Sequence, residues 1–303
     1  MRFKRASFKF QSIKKMKIGY CHLLFISLLL LSLKSKSQDH KQIIVDNIKR
    51  DYIVYLPKNL PNNAPLVFAF HGYTGNAQDM MTDFGMNEIA DKNGFAVCYP
   101  QGLIDQKGNS FWQVGYSFHK EQRVNDVKFI CSLASFLQKQ NKLSKRHTYI
   151  TGISNGGDLC NMLICKTSGV FKAAAPLLGC IMKVIFDSCS NSNPFPVLLL
   201  NGLKDETTYW AGDMKDEQGY GPYLPTKEML DFHVAKNRCS IAKKDTLMGN
   251  TQIEDDFIIR EKYKNTSNHN QVWMYTVQNG GHSIPKYINM AGDVWRFFSL
   301  YLD

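Results

Sequence analysis

The chain has 303 residues, 44% of them apolar, and a formal net charge of +11. Its length and apolar content predict one large globular domain with a substantial core. The positive charge is concentrated at the N-terminus, because residues 1–37 hold nine Lys or Arg and no acidic residue. The rest of the chain holds 28 basic and 26 acidic residues, a net charge of +2 that gives no electrostatic reason to expect nucleic-acid binding.

Residues 1–37 have the features of a targeting segment. Three lysines precede an apolar run over residues 23–33, and Ser35-Lys36-Ser37 offers the small-x-small pattern that signal peptidase reads. An apolar run of 11 residues is too short to span a bilayer, so we predict a cleaved signal peptide and not a membrane anchor. The mature domain would then comprise residues 38–303 and be secreted or periplasmic. Translation from Met16 would give a signal peptide of more ordinary length.

Seven cysteines follow the predicted cleavage site, and an odd number leaves at least one of them unpaired. Export permits disulfides, and Cys180 and Cys189 flank a short segment that makes them the best local candidates for a pair. No cysteine spacing matches a zinc site, and neither a metal nor an organic cofactor is predicted. Four cysteines in apolar strand or helix patterns are predicted to be buried free thiols: Cys98, Cys131, Cys160 and Cys165.

Short apolar runs alternate with helical patterns along the chain. This alternation predicts an α/β fold in which a mostly parallel sheet is covered by helices on both faces. Strands are predicted over residues 52–56, 66–70, 95–99, 147–151, 173–178, 197–200, 257–263 and 272–277. Helices are predicted over residues 87–91, 127–138, 157–165, 227–236 and 293–302.

The segment Gly152-Ile153-Ser154-Asn155-Gly156-Gly157 lies between a predicted strand and a predicted helix. A Gly-x-Ser-x-Gly in this position is typical of the nucleophile elbow of α/β-hydrolases, which projects the serine hydroxyl out of the sheet. The two flanking glycines avoid the clash that a Cβ atom would cause in such a tight turn. Ser154 is therefore the predicted nucleophile.

A serine hydroxyl needs a base that accepts its proton, and the base needs a carboxylate that orients it. In α/β-hydrolases the acid and then the base follow the serine along the chain. Asp205 comes just after the predicted strand over 197–200 and is the predicted acid, with Glu206 as the alternative. His282 follows the last predicted strand on a glycine-containing loop, and it is the only one of the eight histidines with both this order and this kind of loop. His282 is therefore the predicted base.

An oxyanion hole takes one backbone N–H from the residue after the nucleophile and one from a loop after an early strand. The predicted donors are Asn155 and either Tyr73 or Thr74. His71, which begins that early loop, comes too early in the chain to be the base and is predicted to be structural. Three aromatic residues on loops near the catalytic edge of the sheet are predicted to contact the substrate: Trp112, Tyr209 and Trp210.

With these motifs in this order, the sequence resembles the secreted poly(3-hydroxybutyrate) depolymerase and feruloyl or acetylxylan esterase group of α/β-hydrolases. The resemblance extends from about Tyr52 to Phe298. Two positions depart from the pattern of the group: Asn125, where a second Asp is frequent, and Ile284, where a Trp is frequent two residues after the base. The motifs that carry the resemblance lie at residues 66–75, 94–102, 125–130, 152–157, 201–205, 237–239 and 280–282.

The resemblance implies a serine carboxylic-ester hydrolase that acts through an acyl-enzyme on Ser154. The implied substrates are feruloyl or acetyl esters of plant polysaccharides, or polyhydroxyalkanoate-type polyesters. The expected partner is therefore an ester substrate, with no nucleic acid and no membrane after cleavage of the signal peptide. A serine peptidase or an acyltransferase on the same fold, and a binding protein without catalysis, are the alternatives. The acyl group, the polymer and the oligomeric state stay open at this point.

Overall fold

The structure, a computed structural model, describes residues 39–189, 193–249 and 256–302. The predicted signal peptide over 1–37 lies outside the described residues. Those that are described belong to one compact unit. Within these ranges no helix is both long and apolar enough to cross a membrane.

Strands and helices alternate through the described chain. The strands are β1 Asp39–Val45, β2 Ile48–Tyr55, β3 Leu66–Phe70, β4 Ala96–Pro100, β5 Leu103–Ile104, β6 Ser110–Phe111, β7 Thr148–Ile153, β8 Ala173–Leu177, β9 Val197–Gly202, β10 Ser240–Met248, β11 Phe257–Lys264 and β12 Gln271–Val277. The helices are α1 Ala77–Asp83, α2 Met86–Asn93, α3 Asp126–Gln140, α4 Asn155–Lys166, α5 Lys183–Asp187, α6 Thr226–Asn237 and α7 Met290–Phe298. All strands and helices predicted from the sequence are present, and the C-terminal helix ends in a 3₁₀ turn over Ser299–Tyr301.

Ten of these strands form one sheet in the order β1-β2-β4-β3-β7-β8-β9-β12-β11-β10. The six central strands, from β4 to β12 in that order, are mutually parallel. At each end of the sheet, two further strands pair antiparallel with their neighbours. In β3, β4, β8 and β9 every residue is buried, as expected for parallel strands covered on both faces. The prediction of a mostly parallel, doubly covered sheet is confirmed.

A separate hydrophobic core fills each face of the sheet. On one face the core includes buried residues of α3, α4 and α6, and on the other it includes residues of α1, α2 and α7. The sheet therefore has helices on both sides, while the C-terminal ends of its parallel strands stay free to carry loops. The connections that follow β3, β7, β9 and β12 contain the predicted site residues except Trp112, which follows β6, and Asn155, which begins α4.

The segment that begins at Asn125 has a structural role. The Asn125 side chain accepts a hydrogen bond from the Lys128 N–H and so caps α3. Asp126 forms a buried ion pair with Arg50 at 2.6 Å and also accepts a hydrogen bond from the Gln113 N–H. Asn125 thus performs a capping function that the more frequent Asp would also perform.

The prediction for the cysteines is wrong in two respects, the pairing of Cys189 and the state of Cys165. The structure contains a disulfide between Cys165 and Cys189. It joins the C-terminal end of α4 to the segment just after α5. Cys180, the predicted partner of Cys189, is a buried free thiol. Cys165 was predicted to be free because it belongs to an apolar helix pattern, but its position at the last turn of that helix brings it to Cys189. The described cysteines Cys98, Cys131 and Cys160 are free, as predicted.

Loss of this disulfide should lower the free energy of unfolding. The crosslink spans 24 residues. Closing a loop of that size lowers the conformational entropy of the unfolded chain and so stabilises the folded protein by about 3 kcal/mol. We expect the Cys165→Ala/Cys189→Ala variant to lose about that amount in urea denaturation at neutral pH. Reducing agent should destabilise the wild-type protein similarly, whereas Cys239→Ala should change stability little. Equal stability of the double variant and the wild type would show that the crosslink does not contribute.

His233 in α6 is a buried neutral histidine. Its side chain is fully buried against the ring of Phe232, and Nε2 lies 3.3 Å from Asn161 Oδ1. Burial lowers the pKa of His233 from 6.5 to about 3, with a smaller contribution from Lys236. In the unfolded chain the ring is free to bind a proton near its ordinary pKa, so protonation favours unfolding.

The lowered pKa of His233 predicts that the folded protein loses stability in acid. Because the pKa is lower in the folded protein, the stability is fully present above about pH 6.5 and is lost as the pH falls toward about 3. Between about pH 6.5 and pH 4 the wild type should lose about 3 kcal/mol more than His233→Gln does. Urea denaturation at each pH measures the difference, and other titrating groups cancel because both proteins contain them. Parallel pH profiles would contradict a neutral buried His233.

Candidate active site

Ser154 lies at the sharp junction between β7 and α4. Its backbone has φ 57° and ψ −123°, in a region that residues other than glycine rarely adopt. The turn is tight because α4 begins very close to the end of β3, and it is possible because Gly156 has no Cβ atom. A Cβ atom at Gly156 would lie 2.5 Å from Phe70 O and 2.6 Å from His71 O, so only glycine fits there. This is the elbow geometry that the sequence predicted.

The side chains of Ser154, His282 and Asp205 form a continuous hydrogen-bonded chain. Ser154 Oγ lies 2.8 Å from His282 Nε2, and His282 Nδ1 lies 2.7 Å from Asp205 Oδ2. With Nδ1–H donating to the carboxylate, the Nε2 lone pair faces the serine hydroxyl, so the imidazole can accept its proton. The three residues follow β7, β12 and β9, and they meet because the C-terminal ends of parallel strands lie at one edge of the sheet.

The Asp205 carboxylate is buried and held by its own loop. Its Oδ1 accepts hydrogen bonds from the N–H groups of Thr207 and Thr208, each at 2.8 Å. Its Oδ2 is thereby directed to His282. Glu206, the alternative acid, is exposed. The structure therefore places Asp205, and not Glu206, against the imidazole.

The three predicted oxyanion-hole donors differ in their hydrogen bonding. The Thr74 N–H donates to Ser110 O at 2.9 Å, so the prediction for Thr74 is wrong. Among the described residues, the N–H groups of Tyr73 and Asn155 have no acceptor. Asn155 is the first residue of α4, where helix geometry leaves N–H groups without an intrahelical partner. Tyr73 and Asn155 remain the candidate donors.

His71 fixes the loop that carries Tyr73. Its Nδ1 lies 2.7 Å from Gly72 O, and its Nε2 accepts a hydrogen bond from the Gly102 N–H at 3.0 Å. Burial lowers the pKa of His71 to about 4, so the ring is neutral near pH 7. A neutral ring can donate through Nδ1–H and accept at Nε2 simultaneously, which both contacts require. His71 thus has a structural role, as the sequence predicted.

Trp112 joins this loop to the elbow. The side chain is fully buried, its ring packs on His71 with centroids 4.9 Å apart, and Nε1–H donates to His71 O at 2.8 Å. The Asn155 side chain bonds both backbone groups of Trp112, with Oδ1 accepting from the N–H at 2.7 Å and Nδ2 donating to the carbonyl at 3.2 Å. The prediction that Trp112 contacts the substrate is therefore wrong, because its ring packs behind the site.

Tyr209 and Trp210 follow the Asp205 loop, but neither borders a cavity that contacts His282. Trp210 is partly buried and packs against the core, and its carbonyl accepts a hydrogen bond from the first residue of α6. Tyr209 is 37% exposed. The contact of Tyr209 and Trp210 with the substrate stays a prediction.

Two cavities border His282. The smaller, of about 170 Å³, also borders Ser154, whereas the larger, of about 480 Å³, does not. The larger cavity includes Ile284, at the position where a Trp was expected. Besides Ser154 and His282, the smaller cavity is lined by four tyrosines, one acid and four other residues: Tyr73, Tyr116, Tyr220, Tyr223, Asp158, Cys180, Met182, Thr207 and Thr208.

Most of the small cavity's walls could not be predicted from the sequence. Tyr116 lies between β6 and α3, and Tyr220 and Tyr223 lie between β9 and α6. These long connections contain no motif, so nothing in the sequence indicates which of their aromatic residues turn toward Ser154. The position of Asp158 could have been predicted from the sequence. It follows Ser154 by one helical turn, so it lies on the same side of α4 as the nucleophile.

Asp158 is a buried carboxyl beside the triad. Its Oδ2 accepts a hydrogen bond from the Tyr116 hydroxyl at 2.6 Å, and its Oδ1 accepts one from the Cys180 N–H at 2.7 Å. Burial raises the pKa of Asp158 to about 6, although these donors and the nearby His282 act in the opposite direction. Near pH 7 the cavity therefore contains a carboxylate that is largely ionised.

The arrangement supplies the groups that nucleophilic catalysis at a carbonyl needs. It has a hydroxyl, a base in contact with it, a carboxylate that orients the base, and two N–H groups that no acceptor within the described residues engages. In the described parts of the chain, no group of three or more His, Cys, Asp or Glu side chains could hold a metal ion.

Comparison with known families confirms the resemblance predicted from the sequence. The model of the family described as "Esterase PHB depolymerase" matches residues 50–193. Acetylxylan esterase A of Talaromyces purpureogenus is 22% identical over 232 residues, which cover 72% of this chain and 60% of that protein. A bifunctional acetylxylan esterase/xylanase of Neocallimastix patriciarum is 26% identical over 157 residues, covering 52% of this chain and 22% of that protein. The chain thus spans between about a fifth and three fifths of the length of these curated relatives.

Comparison with solved structures confirms the fold. An acetyl xylan esterase from Aspergillus awamori superposes with a TM-score of 0.60 at 16% identity, over 86% of this chain and 99% of that one. A Bacillus cereus carboxylesterase superposes with a TM-score of 0.55 at 16% identity, over 82% of this chain and 93% of that one. The fold is therefore that of the α/β-hydrolases, as predicted.

The geometry predicts selective covalent labelling of Ser154. A serine-directed phosphonate should modify Ser154 and no other serine, because only this hydroxyl has His282 in place to accept its proton. His282→Ala should slow the labelling by at least about 10³-fold, since the base is lost. Ser283→Ala is the matched control, because Ser283 borders the larger cavity next to His282. Peptide mass spectrometry locates the adduct, and a label on another serine would refute the assignment.

Proposed function

We propose that the protein is a secreted or periplasmic serine carboxylic-ester hydrolase that acts through an acyl-enzyme on Ser154. The observation that carries the proposal is the hydrogen-bonded chain from Ser154 Oγ through His282 to the buried Asp205. The similarity to acetylxylan esterases and to a poly(3-hydroxyalkanoate) depolymerase of Paucimonas lemoignei supports ester cleavage as the reaction.

The proposed reaction begins with attack by Ser154 Oγ on the ester carbonyl while His282 Nε2 takes the hydroxyl proton. Asp205 keeps the imidazole in the required tautomer and stabilises the imidazolium that forms. The carbonyl oxygen becomes an oxyanion, which the N–H groups of Tyr73 and Asn155 are suited to accept. His282 then gives its proton to the leaving alcohol, and water releases the acyl group by the same steps in reverse.

The sizes of the two cavities support a short acyl group. The smaller cavity borders the nucleophile, so it suits the acyl group that becomes attached to Ser154. At about 170 Å³ it is below the usual range of about 300–1,000 Å³ for pockets that hold drug-sized ligands. Acetyl and hydroxybutyryl groups are therefore better candidates than feruloyl.

The larger cavity suits the alcohol part of the ester. It borders His282, which must deliver a proton to the leaving oxygen, and it contains Asp79, Asp83 and Lys286 beside apolar side chains. Such a mixed lining matches a sugar ring or a polyester unit, which present both hydroxyl or ester oxygens and carbon faces. We therefore propose carbohydrate-linked or polyester-type short-chain esters as the substrate class.

Export is part of the proposal. The predicted signal peptide over residues 1–37 is one basis for it. The disulfide between Cys165 and Cys189 is the second, because structural disulfides persist in oxidising compartments and are rare in the cytosol. A substrate that is a polymer outside the cell would also require an exported enzyme.

A panel of nitrophenyl esters tests both the reaction and the acyl preference. We expect kcat/KM for acetyl and butyryl esters to exceed that for feruloyl and palmitoyl esters by at least about tenfold, because only the short groups fit the smaller cavity. Ser154→Ala should lower turnover by a factor on the order of 10⁶ while the protein stays folded.

Three outcomes would contradict this proposal. A preference for feruloyl or palmitoyl esters would refute the acyl assignment of the smaller cavity. Substantial hydrolysis by a folded Ser154→Ala variant would refute the nucleophile. Cleavage of the matching amides as fast as the esters would favour the peptidase alternative. Trp210→Ala is the internal control, since a packing residue outside both cavities should alter all esters by similar factors.

A further inference from the structure

The smaller cavity contains four tyrosine rings and a single carboxylate, together with Cys180, Met182, Thr207 and Thr208. Three of the four tyrosine hydroxyls already donate to other side chains, so their protons are not available to a ligand. Tyr116 and Tyr220 meet edge to face, with centroids 5.4 Å apart. Three hydroxyls donate to oxygens of other side chains: Tyr73 to Asp105 at 2.7 Å, Tyr116 to Asp158 at 2.6 Å and Tyr223 to Gln218 at 2.7 Å.

Asp158 has acceptor capacity that the protein does not use. A carboxylate can accept about four hydrogen bonds, and among the described residues its donors are the Tyr116 hydroxyl and the Cys180 N–H. At least one acceptor position is thus left on a side chain that is 5% exposed and lines the cavity. Among the described residues, no Lys or Arg forms an ion pair with it.

The structural contacts of Asp158 use both carboxylate oxygens, one for the Tyr116 hydroxyl and one for the Cys180 N–H, which the single oxygen of an asparagine could not both accept. Neither of these contacts neutralises the negative charge. Buried carboxylates are usually paired with a cation or with several donors. What a carboxylate adds here is attraction for a donor or a cation inside the cavity and repulsion of an anion. Aromatic walls reinforce this selectivity, because ring faces also attract cations.

We propose that Asp158 is the residue that determines which acyl groups the smaller cavity accepts. Its carboxylate takes a hydrogen bond from a short acyl chain that carries a hydroxyl or an ammonium group, and it repels a chain that ends in a carboxylate. The inference rests on the proposed ester hydrolysis at Ser154, which supplies the acyl group to this cavity.

A series of esters of one alcohol, differing only in the acyl substituent, tests the proposal. The acyl groups are 3-methylbutyryl, 3-hydroxybutyryl, 3-aminobutyryl and succinyl, which carry a methyl, a neutral donor, a cationic donor and an anion. Assays are run near pH 8, above the pKa of about 6 that burial gives Asp158. We expect kcat/KM of at least one donor-bearing ester to exceed that of the 3-methylbutyryl ester about tenfold or more, as for a charge-assisted hydrogen bond. The succinyl ester should be the poorest substrate.

Asp158→Asn removes the charge with little change in size, and it also replaces one of the two acceptor oxygens that hold Tyr116 and the Cys180 N–H. It should reduce the preference for the donor-bearing esters to within about threefold of the 3-methylbutyryl ester, and it should raise the relative rate of the succinyl ester. Whether the hydroxyl or the ammonium ester loses more identifies the natural donor. Equal losses for all four esters would overturn the proposal, because Asp158 would then act only on His282 or on the fold.

Tyr116→Phe is the matched control. It removes the hydroxyl that bonds Asp158 but keeps the carboxylate and the ring. If Asp158 selects the acyl group, Tyr116→Phe keeps the order of the four esters, whereas Asp158→Asn changes it. If Asp158 only holds Tyr116 in place, the two variants change the order in the same way, and the proposal fails.

A binding measurement separates this proposal from the proposed function. Propylammonium and butyrate are titrated calorimetrically into Ser154→Ala and into Ser154→Ala/Asp158→Asn. We expect propylammonium to bind Ser154→Ala at least about tenfold more tightly than butyrate does, and the second substitution to remove that difference. A wild-type protein that hydrolyses no ester would refute the proposed function alone. Equal affinities of the two ions in this titration would refute the role of Asp158.

Discussion

The site depends on the close approach of α4 to the ends of β3 and β7. Gly152 and Gly156 lie at this approach, and a Cβ atom on either would come within 2.4–2.6 Å of backbone atoms. Because strand and helix approach so closely, the turn between them is sharp, and Ser154 adopts a positive φ in it. Ser154 is therefore projected at the N-terminus of a helix, where the Asn155 N–H has no acceptor among the described residues and the helix dipole favours negative charge.

A network of buried polar contacts fixes the position of the loop that carries Tyr73 relative to the elbow at Ser154. The Asn155 amide bonds the backbone of Trp112, the Trp112 indole bonds the carbonyl of His71, and His71 closes onto the loop that carries Tyr73. The contacts of Asn155 with Trp112 and of Trp112 with His71 join segments that are far apart in the chain. The two candidate N–H donors are thus positioned by one continuous set of bonds, which is the rigidity that oxyanion stabilisation requires.

The sequence predicted those parts of the structure that follow from local pattern. The central strands are short apolar runs because both faces are covered, and the triad follows strands whose order along the chain is typical of the fold. Strand β10 was missed because most of its residues are exposed, so it lacks an apolar run. The roles of Trp112 and Asp158 and the partner of Cys189 depend on contacts between distant segments, which no local pattern records.

The unequal cavities beside His282 also constrain how a polymer can be attacked. A polyester continues on both sides of each ester bond, whereas a decorated polysaccharide continues only on the alcohol side. With the proposed acyl group in a space of about 170 Å³, there is room inside it for one small unit. Such an enzyme would remove pendant groups and terminal units one at a time. It would change the solubility of a polymer long before it changed the length of the backbone.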